Sequence, residues 1–137
     1  MKLLLICFFT FGWLFVSQTN HYTPQTDPLK ESIARGSEIY SDFCMNCHLP
    51  NGEGVANVYP PLAQSDYLME NQEASIRGLK YGLKGEIVVN GKTYNSAMAA
   101  LGLSDDEVAD VMNYISNSWG NTNEVMVTEE DVTKIKK

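Results

Sequence analysis

Residues 36–48 read Gly36-Ser37-Glu38-Ile39-Tyr40-Ser41-Asp42-Phe43-Cys44-Met45-Asn46-Cys47-His48, and the last five decide what the chain folds around. Four chemistries compete for a C-x-x-C-H run. A dithiol redox pair wants a βαβ context, whereas the flanking pattern here is helix followed by loop. A closed zinc site needs four ligands. Cys44, Cys47 and His48 supply three, and the remaining Cys7 and His21 lie outside the region with the character of a domain. A plain disulfide gives His48 no task. Attachment of a c-type haem uses all three residues. Two thiols on adjacent helical positions reach the two vinyl groups of one porphyrin, and the histidine that follows is carried beneath the ring with Nε2 towards iron.

Working outward, Ile33, Gly36, Ile39, Tyr40 and Phe43 recur at three- and four-residue spacing and mark one face of a helix leading into the motif. After His48, Pro50, Gly52, Gly54, Pro60 and Pro61 impose a long irregular loop. A second helix is expected over residues 72–83, capped by Asn71, with Ile76, Leu79 and Leu83 inward and Gly85 as its stop. Residues 87–89 and 92–94 flank Asn90-Gly91, a pair that accepts positive φ at both turn positions, so a tight hairpin follows. Ser104 and Glu107 form a capping box ahead of Val108, Val111, Met112, Ile115 and Trp119, a buried stripe ended by Gly120. Residues 128–136 add one weak helical turn.

The 137 residues suit one domain with short appendages. Lys2 followed by an apolar run over residues 3–16 reads as an export signal, since a membrane span needs about 20 residues. Ser17 and Thr19 are the small residues near the cut, and an uncleaved anchor is the alternative. Cys7 lies too early and lacks a small residue before it, which argues against lipidation. The expected organisation is a signal peptide over 1–19, a polar linker with Pro24 and Pro28 over 20–30, the domain over 31–121 and a tail over 122–137. This places the protein outside the cytoplasm, in the periplasm, with the membrane involved only if the leader stays as an anchor. Seventeen acidic against ten basic residues give a net charge of −7, and loss of Lys2 with the signal takes it to −8. Nucleic acid is excluded as a partner, because phosphate binding needs clustered Lys and Arg.

A haem iron has a sixth position, and its occupant decides the chemistry: Met opposite His closes the site for electron transfer. Met1 belongs to the leader, Met45 is trapped between the cysteines, Met112 lies on the apolar stripe, and Met126 would need the tail to fold back. Met69 and Met98 remain. Met98 follows the hairpin in a loop able to hang over the far haem face, although a methionine also commonly fills core gaps.

Residues 36–48, then Tyr59-Pro60-Pro61-Leu62-Ala63, then Tyr94-Asn95-Ser96-Ala97-Met98, then residues 103–121 are together similar to a small monohaem class I cytochrome c. The resemblance spans about residues 31–121 and implies a mainly α fold, a few helices around one covalently bound haem c, here with a small β-hairpin. It implies that Cys44 and Cys47 form the thioethers and that His48 and Met98 are the axial iron ligands. It further implies that the Pro60 carbonyl, or Pro61 beside it, receives the His48 ring N–H, and that Gly36 and Tyr40 pack on Tyr114 of the last helix. The sequence departs from the family where a proline usually follows the distal methionine: here it is Ala99. Tyr94 and Asn95 either donate near the methionine or simply end the hairpin. With no acid–base or nucleophile pair in view, the expected function is one-electron transfer and not catalysis. Partners would be redox proteins: a dehydrogenase, a respiratory complex, or a terminal oxidase or reductase. A fixed cytochrome subunit is the alternative, and a haem sensor or peroxidase a more distant one.

Overall fold

The first helix opens on an Asp-Pro step. Asp27 caps it by accepting from Leu29 N (3.0 Å), and Pro28 takes the first helical position, where its missing N–H costs no hydrogen bond. α1 therefore runs Pro28–Phe43, and residues 28–30, expected to be linker, are helix. A computed structural model describes residues 27–137. The expected leader over 1–19, with Cys7, Ser17 and Thr19, lies outside the described residues, as does His21.

Single-turn α2, Met45–His48, follows α1 directly. A short helix not foreseen in the sequence, α3 Asp66–Glu70, starts where Ser65 Oγ accepts from Leu68 N, and it runs into α4, Gln72–Tyr81. Asn71 is the N-cap residue of α4, as expected, but its side chain makes no capping bond and donates back to Tyr67 O. α4 stops two residues earlier than expected, because Gly82 takes φ +82. β1 Ile87–Val89 and β2 Lys92–Tyr94 form the expected antiparallel hairpin, with Ile87 paired to Tyr94 and Val89 to Lys92. α5, Asp105–Ile115, begins on the capping box Ser104/Glu107. It ends well short of Gly120 because Asn117 and Ser118 side chains donate to the Asn113 and Tyr114 carbonyls and compete with the helical ladder. Trp119, with φ +54, is turned back onto the core from beyond the helix. α6, Glu129–Lys134, carries its own capping box, Thr128/Asp131.

The helical architecture with one small hairpin is the expected one. Its central contact is α1 on α5, made close by Gly36, where a Cβ would lie 2.8 Å from Tyr114 Cβ and inside the Asp110 carbonyl. Tyr40, Tyr114 and Trp119 stack around that crossing with ring centroids 4.9–5.4 Å apart. Beside them Asp110 accepts from Ser32 Oγ (2.6 Å) and from the Arg35 guanidinium (2.6 and 2.7 Å). Phe43, placed by its spacing on the same helix face as Gly36 and Tyr40, is 48% exposed whereas those two are buried. The expected boundary at residue 121 does not divide the core. Val127 and Val132 are fully buried in the same cluster as Val108, Val111 and Met112, and Asn113 exchanges two hydrogen bonds with the Val127 backbone (both 2.8 Å).

Candidate haem site

The α1–α2 junction sets the geometry of the motif. Cys44 leaves the α1 helix while its N–H still donates to Tyr40 O, and the Cys47 and His48 N–H groups both donate to Cys44 O (3.1 and 2.9 Å). Both thiols are free and lie on one turn, three residues apart. Burial, with Cys47 second, pushes the Cys44 thiol up to about 11. That is the reverse of the activated thiolate a dithiol-exchange site requires.

His48 Nδ1 lies 3.0 Å from the Pro60 carbonyl. A carbonyl only accepts, so Nδ1 carries the proton and Nε2 keeps its lone pair. Burial moves the imidazole pKa down, against a smaller upward pull from Pro60, which keeps the ring neutral. The loop supplying this carbonyl is folded tightly on itself. Gly52 O accepts from Leu62 and Ala63 N, Gly54 N donates to His48 O, and Tyr40 OH holds Leu49 O at 2.6 Å. Gly54 has φ +63, and a Cβ there would strike Tyr59 and Pro60 backbone at under 3 Å. Any other residue would push Pro60 off His48.

Cys44, Cys47, His48 and Met98 all line one cavity of about 320 Å³, open on one side. Its walls are apolar, drawn from α3, α4, the hairpin and α5: Leu68, Leu79, Val89, Val111 and Ile115 among them. Two thiols, a neutral imidazole and a thioether around an apolar chamber fit a covalently held porphyrin. Among the described residues no group of three His, Cys, Asp or Glu side chains is arranged to hold a metal ion directly.

Of the competing methionines, Met69 is 37% exposed and lies off the cavity, as does Met126. Met112 is fully buried on its wall. Met98 is held by a two-way backbone bridge to Leu83 (2.8 and 2.9 Å), and its loop is tied to the proline side by Ser96 Oγ donating to Val58 O. Tyr94 is buried against the cavity, whereas Asn95 is exposed and off it. The sequence reading missed Leu83 as the seat of Met98, a long-range pairing with no local signature. It also missed Gly78, on which the Met98 methyl rests: a Cβ there would sit 3.7 Å from it. A glycine inside a helical pattern is a readable sign of close packing. Phe43 is exposed because it stands on the rim of the cavity.

A family model described as Cytochrome c matches residues 33–119. Cytochrome c-552 of Thermus thermophilus is 38% identical over 112 residues, covering 75% of this chain and 85% of that protein. The cytochrome c subunit of alcohol dehydrogenase (quinone) from Gluconacetobacter polyoxogenes is 34% identical over 130 residues, 88% of this chain but 27% of the subunit. The gluconate 2-dehydrogenase cytochrome c subunit of Pantoea cypripedii is 34% identical over 107 residues, 74% of this chain and 24% of the subunit.

Proposed function

The chain belongs to the cytochrome c family and carries one covalent haem c, and on that premise we propose that it is a one-electron carrier with a His48/Met98-ligated iron, working in the periplasm. When bound, the haem supplies a couple between ferric and ferrous iron. The chain does the rest. Cys44 and Cys47 would hold the ring through thioethers, each S–H adding across one of its two vinyl groups. His48 presents Nε2 because Pro60 holds the proton on Nδ1. Met98 offers a sulfur from the Leu83 bridge, and His/Met ligation raises the potential. The observation that carries the reading is the convergence of all four side chains on one apolar cavity. With His48 and Met98 holding the iron, the haem would take up and give up electrons while the chain kept substrates from the metal.

The extracytoplasmic assignment rests on the leader-like residues 1–19. Among the described residues no helix is long and apolar enough to cross a membrane. Electrons would pass from a dehydrogenase or respiratory complex to a terminal acceptor. A fixed cytochrome subunit is the second reading, favoured by similarity to dehydrogenase cytochrome subunits of which this chain spans about a quarter.

The test is kinetic. Purified holoprotein should exchange electrons rapidly with small redox reagents, cationic ones faster than anionic because the chain carries −7, and salt should narrow the gap. Hydrogen peroxide should give negligible turnover. Turnover at about 1 per second or more would move the assignment to a peroxidase.

A further inference from the structure

Met98 is seated on the end of α4, and α4 is gripped from behind by the C-terminal segment. On the inner side, Gly78 lies against the Met98 methyl, Gly82 adopts φ +82 with the Met98 carbonyl oxygen 2.8 Å from where a Cβ would be, and Leu83 makes the two-way bridge. Ala74, Ser75, Gly78 and Leu79 face the cavity. On the opposite face three side chains reach α6 and the residues after it. Arg77 Nε donates to Lys136 O (3.1 Å), Lys80 Nζ to Val132 O (2.8 Å) and Tyr81 OH to Ile135 O (3.1 Å). Lys80, nearly buried, also pairs with Asp105 (2.9 Å), and Thr133 donates to that same carboxylate. Lys80 and Tyr81 lie in the last turn of α4 and Arg77 just before it, behind the seat of Met98.

We propose that residues 127–136 act as a brace for the distal loop, with Lys80 as the positioning residue that couples them to Met98. The inference rests on Met98 being the distal ligand. Where the family usually has a proline after that methionine, this chain has Ala99, and the rigidity comes instead from the back of α4. Loosening the grip lets Gly82 and Leu83 move, and the sulfur leaves the iron more often.

The experiment uses ferric holoprotein with cyanide as probe, because cyanide enters only when the sixth position opens. Lys80→Met, and separately Arg77→Gln with Tyr81→Phe, should speed cyanide binding by roughly tenfold and weaken the red sulfur-to-iron charge-transfer band. Gly36→Ala, which disturbs the α1–α5 contact instead, should speed it far less at a matched loss of thermal stability. In a Met98→Ala background both brace variants should have no further effect on cyanide binding, and Met69→Ala alone should leave the band intact. Unchanged cyanide rates in folded brace variants, or the same acceleration without Met98, would overturn the brace while leaving the ligand assignment standing. A band that survives Met98→Ala would overturn both.

Discussion

His48 stands with Nδ1 against a carbonyl from a proline-rich loop, and that contact orients the ring and frees Nε2. The same logic explains why the loop is so constrained: Gly54 and the Gly52 carbonyl hold Pro60 within reach. The cysteines are placed by helix geometry alone, one turn apart at the α1–α2 junction. Protein matured with a c-type haem system should therefore keep its haem through acid–acetone extraction. Cys44→Ala combined with Cys47→Ala should release it, and retention by that double variant would reject the thioether assignment.

Among the elements, α1 and α5 form the frame on which the site is hung. Tyr40 serves both the frame and the site: its ring packs on Tyr114 and Trp119, and its hydroxyl donates to Leu49 O just after the motif. Burial, above all other influences, drives its phenol pKa upward, so it remains a neutral donor. Gly36 permits the crossing. Gly36→Ala should cost about 1–3 kcal/mol through overpacking, because a Cβ there meets backbone, which cannot swing aside. Thermal unfolding of the holoprotein followed by far-ultraviolet circular dichroism measures this, and an unchanged midpoint would mean that the helices separate freely at that point.

Over the whole molecule, acid is the expected weakness. Asp105 is held below the usual carboxylate range by Lys80 and Thr133, Asp106 by Ser104, and Asp131 by Thr128. Each has a folded pKa lower than its unfolded value of about 3.9. The stability they contribute is present above that value and lost as pH falls through the folded pKa. Two of the three tie or cap the C-terminal segment, so acid titration should loosen residues 127–136 below about pH 4. Hydrogen exchange of the α6 amides against pH would detect it, and Asp105→Asn should flatten the response. Equal protection of α6 at pH 3 and pH 7 would contradict it.

Local chemistry made much of this legible in the sequence. C-x-x-C-H, the Asn90-Gly91 hairpin and the Ser104/Glu107 box each depend on residues within a few positions of one another, and so did the outline of the helices. Helix ends were less legible. Asp27-Pro28 begins a helix where prolines read as linker, and Ser118 and Asn117 end α5 by side-chain competition that periodicity does not register. What only tertiary structure decided is long-range: Val127 and Val132 completing the core, Leu83 seating Met98, and Lys80 joining α4 to the C-terminal segment. These contacts join residues 15 to 52 positions apart, and their formation depends on how the folded elements pack, which no local pattern encodes.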